Sequence, residues 1–192
     1  VAGYPFSTRK PIPGMMPFEN VQIQLVDVPP INFEIGEAWL SPMVRNADVL
    51  IIMVDLNGDP LAQMEEILAR LEGIRIKPLG FEDEATHEGE VSFLEQKRTV
   101  IVANKLDLDG TKEKEGMLRE RYGYSFPVFS LSATKGTGLE DLRGGIFKAL
   151  DVIRIYTKPP GKEADISEPV ILRKDSTVED AANSVHKDFV SD

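Results

Sequence analysis

Cysteine is absent from this chain of 192 residues. Its absence excludes disulfide bridges, thiolate metal sites and cysteine nucleophiles, and it fits the reducing cytoplasm, where we expect the protein. No apolar run approaches the length that spans a bilayer, and the residues after Val1 do not resemble a signal peptide, so we expect no membrane association. The first residue is not methionine, and its context predicts a sequence that starts downstream of the true beginning.

Basic residues are in the minority, because 22 Lys and Arg stand against 32 Asp and Glu, a formal net charge of -10. This balance argues against electrostatic binding of nucleic acid over the whole surface, and we expect no DNA partner. It is still compatible with a local basic patch. Apolar residues make up 42% of the chain, which is typical of globular proteins. The length suits one medium domain, or one domain plus a fragment.

Four segments have the pattern of β-strands. Val21–Asp27 alternates apolar and polar residues before it becomes apolar, as a strand does when one end is covered on both faces. Val49–Asp55 and residues 99–103 are almost wholly apolar and β-branched, which predicts buried parallel strands. A shorter strand is predicted at residues 127–131.

Helices are predicted between these strands. Asp59 caps a helix that starts at Pro60, where the missing N–H costs nothing, and Gly73 ends it. Further helices are predicted near residues 112–122 and over Leu139–Leu150. The alternation predicts an α/β fold with a mostly parallel sheet covered by helices on both faces. Ligands bind such sheets at the carboxyl ends of the strands, where this chain places Asp27, Asp55, Asn104 and Ser132.

Two stretches depart from this alternation. Residues 81–93 are crowded with Asp and Glu, which predicts a solvated acidic insert. After position 151, strands are predicted at 152–157 and 169–173, followed by a helix that Ser176 and Glu179 open as a capping box. Two strands and one helix in about 40 residues cannot bury a full core. We therefore predict one domain at 1–151 and a partial second domain at 152–192.

The strongest functional signal is Asn104-Lys105-Leu106-Asp107, directly after a buried strand. A carboxylate in this position can accept two parallel hydrogen bonds, from N1–H and the exocyclic amine of guanine, that adenine cannot match. The stem of Lys105 can lie along the base while Asn104 ties neighbouring loops together. The competing interpretation is a strand-end turn with solvated charges, which the position after a buried strand disfavours.

A second signal, Ser132-Ala133-Thr134-Lys135, follows the next strand along the chain. We expect the backbone N–H of Ala133 to face the guanine carbonyl oxygen. Small residues are also common in loops that follow a strand, so the motif alone is a weak signal. Its position, one strand–helix unit after Asn104, supports the functional interpretation. The glycines that follow provide the turn into the last helix of the first domain.

Two weaker motifs suit a magnesium ion. Asp27-Val28-Pro29-Pro30 puts an aspartate at a strand tip, and this hard cation keeps several waters through which such a carboxylate can act. In Tyr4-Pro5-Phe6-Ser7-Thr8, the hydroxyl of Thr8 is available to the same ion. Turn and loop formation would explain each motif taken alone.

In this order the four motifs resemble the TRAFAC-class GTPases, most closely their Obg/DRG branch. The resemblance is carried by the segments YPFSTRKPIPGMM, QIQLVDVPPI, NKLD and SLSATKGTGLEDL. The tail, IRIYTKPPGKEADISEPVILRKDSTVEDAANSVHKDF, resembles the start of a TGS domain, the β-grasp module that follows the G domain in DRG-type proteins. Apart from the acidic insert, the resemblance covers nearly the whole chain.

The resemblance implies a P-loop NTPase-like G domain that lacks its first strand and helix, followed by a partial TGS domain. It implies a switch protein that binds GTP or GDP with Mg²⁺, hydrolyses GTP slowly in its intact form, and acts on the ribosome or RNA. The positions that match the family's GTP-binding motifs are Thr8, Asp27, Asn104, Lys105, Asp107, Ser132, Ala133 and Thr134. Of these, Thr8 and Asp27 match the magnesium-linked positions.

Three departures from the family pattern affect phosphate recognition. The chain has no G-x-x-x-x-G-K-[ST] loop to hold the β- and γ-phosphates, and a truncation upstream of Val1 explains this absence. Such a truncation also removes the first strand, which predicts exposed apolar sheet edges. Pro30 replaces a glycine whose N–H would contact the γ-phosphate. Ile31 stands where Ras-like switches carry a water-positioning glutamine, so no catalytic side chain is assigned.

Two alternatives to a working switch stay open. The tail can be an RNA- or protein-binding module on a non-hydrolysing G-domain scaffold, for which the available cations are Lys158, Lys162, Arg173, Lys174 and Lys187. Scattered cations in an acidic chain are more simply interpreted as solvated charge. The 192-residue chain can also be inactive by itself, because it lacks the phosphate loop.

Overall fold

A computed structural model of the chain describes residues 11–28, 40–81, 94–158, 161 and 163–190, with no side-chain detail for 186–190. The strands are β1 Ile12–Phe18, β2 Val21–Asp27, β3 Val49–Asp55, β4 Ile76–Leu79, β5 Glu95–Asn104, β6 Val128–Ser130, β7 Val152–Ile155 and β8 Val170–Arg173. The helices are α1 Leu40–Asn46, α2 Pro60–Gly73, α3 Thr111–Tyr122, α4 Leu139–Leu150 and α5 Val178–Val190. No helix in these ranges is long and apolar enough to cross a membrane.

Four parallel strands form the central sheet, with β5 in the middle. β3 runs along one edge of β5, in a register that ends with Asp55 opposite Asn104. β4 and β6 follow one another along the other edge, at residues 95–98 and 101–103 of β5. The carboxyl ends of β3, β5 and β6 therefore meet at one end of the sheet, which confirms the predicted mostly parallel α/β arrangement.

The core is built from alternate residues of β3 and β5, because successive side chains of a strand point to opposite faces. Toward one face, Ile52 and Val54 of β3 pack with Ile101 and Ala103 of β5 in a single cluster. Helices α1, α2 and α3 close this cluster with Leu40, Val44, Met64, Leu71, Leu118 and Tyr122. Helix α4 covers the other face, where Gly145 lies against the ring of Phe129.

β1 and β2 form an antiparallel hairpin in a separate two-stranded sheet. Ile12 pairs with Asp27 at the open end of this hairpin. Among the described strands, β2 pairs only with β1, and β3 pairs only with β5. Val26 and Met53 on these two strands remain 42% and 44% exposed.

The second unit consists of the antiparallel pair β7–β8 and helix α5. Its first strand contacts the turn of the β1–β2 hairpin. The guanidinium carbon of Arg154 lies 4.3 Å from the ring centroid of Phe147 and 5.8 Å from that of Phe18. Arg154 also forms an ion pair with Glu19 in the hairpin turn. The guanidinium thus joins the hairpin, α4 and β7.

Helix α5 corrects one sequence-based prediction. The N–H and hydroxyl of Thr177 donate to Asp180 Oδ2 at 2.8 and 2.7 Å, and the N–H of Asp180 donates back to Thr177 Oγ1 at 3.2 Å. The capping box is therefore Thr177 with Asp180, and the predicted pair of Ser176 with Glu179 was wrong by one residue. Asp180 takes the place that Glu or Gln usually has in a capping box, and its shorter side chain still reaches the N–H of Thr177.

Several sequence-based predictions lie outside the described residues: those at Thr8, Pro30, Ile31 and residues 82–93 of the acidic insert. Three described elements, β1, α1 and β4, were not predicted from the sequence. β5 also starts at Glu95 and not at position 99, because β4 pairs with its first four residues.

Candidate nucleotide-binding site

Asn104 joins the loop after β5 to the loop after β6. The residue is 4% exposed, and its Oδ1 accepts hydrogen bonds from the N–H of Lys105 at 2.8 Å and from the N–H of Ala133 at 3.0 Å. The N–H of Leu106 donates to the carbonyl of Leu131 at 3.0 Å and makes a second link between the two loops. The two strongest sequence motifs therefore form one structural unit, as predicted for Asn104.

Lys105 is held at both ends of its side chain. Its backbone has φ 71°, the left-handed region that residues other than glycine adopt rarely and mostly at special sites. Its Nζ donates to Asp55 Oδ2 at 2.5 Å, and the two side chains are 30% and 27% exposed. Lys105 thus links the carboxyl ends of β5 and β3.

Asp107 is exposed beside this unit and ready to accept hydrogen bonds. A hydrogen bond with the Ser132 hydroxyl is the largest influence on its carboxyl group, and it lowers the pKa of Asp107 below the ordinary value of 3.8. The N–H of Asp107 and the charge of Lys135 act in the same direction. The group is therefore a carboxylate at neutral pH, the form that can accept from two donors of a base.

The loop after β6 is closed by its own hydrogen bonds. The N–H of Ser132 donates to the carbonyl of Thr137 at 3.0 Å, and the N–H of Gly136 donates to the carbonyl of Ser132 at 2.9 Å. Ser132 Oγ accepts from the N–H of Lys135 at 3.2 Å and lies 3.2 Å from Thr134 Oγ1. Ser132 and Thr134 thus shape this loop, with Ser132 buried and Thr134 exposed.

The arrangement at Ala133 differs from the expected one. Its N–H points to Asn104 Oδ1, whereas the sequence predicted that it faces a guanine carbonyl oxygen. A base that uses this donor must share it with Asn104 or displace that contact. The role of Ala133 in base binding stays a prediction, and Asp107 is the group that presents free acceptor capacity toward the exposed side of the site.

The contacts described above do not include every predicted site residue. Asp27 lies at the end of β2 in the separate hairpin, where its side chain is exposed, and Thr8 is outside the described residues. No group of three or more His, Asp or Glu gathers among the described residues. Mg²⁺ is commonly held by one or two protein oxygens together with phosphates and water, so a single strand-end carboxylate such as Asp27 fits this ion.

Two residues of this site carried no predicted role. Asp55 was recognised as a strand-end residue, but its contact with Lys105 depends on the β3–β5 register. Gln63 brackets the backbone of Asp55, accepting from its N–H at 2.8 Å and donating to its carbonyl at 3.0 Å. Nothing in the sequence distinguishes Gln63 from other polar residues in the first turns of a helix.

This α/β fold, with N-K-x-D and Ser-Ala-Thr loops side by side at its ligand-binding end, defines the class as a GTPase domain. The chain belongs to the 50S ribosome-binding GTPase family, whose family model matches residues 1–105, more than half of its length. A TGS-domain model matches residues 153–192. The chain is thus an Obg/DRG-type GTPase domain followed by a TGS domain, while the exact boundary after position 151 stays a prediction.

Curated relatives agree with this family. The chain is 28% identical to an uncharacterized GTP-binding protein of Methanocaldococcus jannaschii, over 99% of the chain and 62% of that protein. It is 25% identical to ribosome-interacting GTPase 1 of Saccharomyces cerevisiae, over 100% of the chain and 66% of that protein. GTPase Obg of Desulforudis audaxviator is 27% identical over 92% of the chain and 41% of its own length. The chain therefore spans less than two thirds of the length of these relatives.

Proposed function

We propose that the protein is a guanine-nucleotide switch that, in its intact form, binds GTP and GDP and hydrolyses GTP slowly. The observation that carries the proposal is Asn104, whose Oδ1 binds the N–H groups of Lys105 and Ala133 and so fixes both motif loops at one site. Beside this link, Asp107 presents an exposed carboxylate with a lowered pKa. A carboxylate there can accept from both N1–H and the 2-amino group of guanine, whereas adenine offers no matching pair of donors.

The substitution Asp107→Asn tests base selection. Its amide replaces one acceptor by a donor, which clashes with the 2-amino group of guanine but matches the 2-oxo group of xanthine. We expect calorimetry on the intact protein to show GDP affinity falling on the order of a hundredfold or more, with xanthosine diphosphate gaining affinity. The control Asp109→Asn changes an exposed carboxylate two residues further on and is expected to leave GDP affinity unchanged. Equal affinity of the unmodified protein for GDP and ADP would contradict the proposal.

We also propose that the 192-residue chain by itself binds nucleotide weakly and does not hydrolyse it. The support is the absence of a G-x-x-x-x-G-K-[ST] loop from its sequence, since that loop supplies most phosphate donors in such proteins. Asp27 and Thr8 remain the proposed partners of Mg²⁺, which would neutralise phosphate charge when bound. Submicromolar GDP affinity of this chain, measured by calorimetry, would contradict this part.

A ribosome-linked role is supported by names alone, those of the family and of the yeast relative. The competing role, an RNA-binding module that uses the tail's cations, finds little support in the structure. Arg173 lies 3.5 Å from Asp48, and Lys174 lies 4.0 Å from Asp151, so acidic groups already face both cations. We therefore favour the switch and treat the ribosome as its proposed target.

A further inference from the structure

Asp55 is the residue of this site whose chemistry the motifs leave unexplained. It ends β3 and stands opposite Asn104 in the register of the parallel sheet. Its Oδ2 accepts a hydrogen bond from Lys105 Nζ at 2.5 Å, and both side chains are about one third exposed or less, at 27% and 30%. The ion pair therefore joins the N-K-x-D loop to the end of β3 and is partly shielded from water.

The loop after β3 fixes the Asp55 carboxylate before any ligand arrives. Asp55 Oδ1 accepts from the N–H of Asn57 at 2.8 Å, while the Gln63 amide binds both the N–H and the carbonyl of Asp55. From α3, Lys114 Nζ donates to the carbonyls of Asn57 and Gly58 at 2.9 and 2.7 Å. Since the backbone and one carboxylate oxygen are held, the remaining oxygen, Oδ2, has a defined direction toward Lys105.

Lys105 has a second fixed point in its own backbone. The N–H of Lys105 donates to Asn104 Oδ1 at 2.8 Å, and its backbone has a left-handed φ of 71°. The four-carbon stem therefore runs between two anchors, Asn104 at its base and Asp55 at its tip. A stem held at both ends is an apolar surface that is in place before a base arrives.

We infer that Asp55 is a positioning residue for nucleotide binding: it holds the tip of Lys105 in place so that the stem supports one face of the guanine base. The inference rests on the proposed function. Ion pairs that are partly exposed contribute little to folding, so stability alone is a weak reason for this pair. Fixing a long side chain in advance removes the rotamer entropy that binding would otherwise cost, which is the larger effect.

The first test asks whether Asp55 positions Lys105 at all, and it needs no nucleotide. Asp55→Asn keeps the shape and the acceptor for Asn57 but turns a donor toward Lys105. We expect an amine-reactive acetylating reagent to modify Lys105 severalfold faster in this variant of the 192-residue chain. Peptide mass spectrometry measures the rate. The matched control is Asp59→Asn, which removes a carboxylate four residues away while keeping the acceptor for Leu61 and Ala62 at the start of α2. An unchanged rate at Lys105 in Asp55→Asn would overturn the inference.

The second test measures the consequence for binding in the intact protein. We expect Asp55→Asn to weaken GDP affinity about tenfold, because the lysine must then be ordered during binding. Lys105→Met removes the charge that Asp55 holds, so adding Asp55→Asn to Lys105→Met is expected to cost no further affinity. Asp59→Asn should bind GDP as the unmodified protein does. Additive losses in the double variant would show that Asp55 acts by another route and overturn the inference.

The remaining outcomes separate the inference from the proposed function. Tighter GDP binding in Asp55→Asn would mean that Asp55 competes with the nucleotide for Lys105, the reverse of a supporting role. Unchanged GDP affinity, together with guanine preference in the unmodified protein, would overturn the inference and leave the proposed function standing. A lack of guanine preference in the unmodified protein would remove the proposed function and the binding role of Asp55 with it, whatever the labelling rates show.

Discussion

At the scale of single residues, the candidate site depends on polar groups that satisfy one another. Asn104 is almost fully buried, and a buried polar side chain is tolerated only when its hydrogen bonds are made. Its Oδ1 accepts from two backbone N–H groups that belong to different loops. One amide side chain therefore fixes the distance between the N-K-x-D loop and the Ser-Ala-Thr loop.

The pKa of Asp107 gives a prediction at this scale. Hydrogen bonding to Ser132 lowers it below 3.8, so Ser132→Ala is expected to raise the pKa of Asp107 back toward that value. A lowered carboxyl pKa adds stability that is present above 3.8 and is lost as pH falls through the folded-state value. Guanine recognition, which needs the carboxylate, should therefore begin to fail at a higher pH in the variant. Carbon-13 NMR titration of the Asp107 carboxyl group measures the shift.

Ser130→Ala is the matched control for this titration. Partial burial acts to raise the pKa of Glu115, but hydrogen bonds from Ser130 and Arg119 lower it on balance. The control should therefore move the pKa of Glu115 upward and leave that of Asp107 unchanged. An unmoved Asp107 in Ser132→Ala would show that the backbone N–H and Lys135 suffice to lower its pKa.

At the scale of elements, the entry into α4 is the most constrained turn of the site. Gly138 has φ 79°, and a Cβ added to it would lie 2.4 Å from the carbonyl oxygen of Ser130. Gly138→Ala therefore combines a strained backbone with a clash against β6. We expect it to lower the free energy of unfolding by about 3 kcal/mol, measured by urea denaturation.

Gly136 provides the control two residues earlier. It also has a positive φ, 75°, but an added Cβ would have no heavy atom within 4 Å. Gly136→Ala should therefore cost only the backbone strain, about 1 kcal/mol. Equal losses in the two variants would show that the close approach of Gly138 to β6 contributes nothing.

The elements that were predicted correctly are those with complete local signals. α2 begins at Pro60 after the capping Asp59 and ends at Gly73, and β3 is a continuous apolar run. β1 was missed because Pro13 and Pro17 argue against a strand, and prolines are tolerated only because this strand lies at the edge of its sheet. β4 has only four residues and forms by pairing with the first four residues of β5. No local sequence pattern predicts this pairing.

At the scale of the whole molecule, surface charge and sheet edges act in opposite directions. The net charge of -10 is expected to keep copies of the chain apart. Among the described strands, β2 and β3 each have a strand partner on one side only, and Met53 on β3 is 44% exposed. Strands with one paired side and exposed apolar residues are sites of association between chains.

Salt should decide which of these effects dominates. The screening length is about 10 Å at 0.1 M salt and about 3 Å at 1 M, so repulsion weakens as salt rises. We expect the 192-residue chain to remain monomeric at low salt and to associate at high salt, and Met53→Lys to raise the salt concentration needed. Light scattering across a sodium chloride series measures both effects.

Met117→Lys is the control for this experiment. Met117 is 48% exposed on α3, close to the 44% of Met53, but it lies on a helix and not on an edge strand. The same added charge at this position should change the association threshold much less. Equal shifts in the two variants would show that net charge alone, and not the edge of β3, controls association.

The sequence by itself determined the α/β alternation, the bounds of its strongest elements, and the two loop motifs at the strand ends, because each depends on residues that are neighbours in the chain. Only the tertiary structure decided which atoms of these loops and strand ends meet. The pairing of Asp55 with Asn104, the ion pair of Asp55 with Lys105, and the bond from Ala133 to Asn104 all depend on the register of parallel strands. That register is set by packing across the whole sheet, and parallel neighbours are joined through long crossovers, so no local pattern of residues contains it.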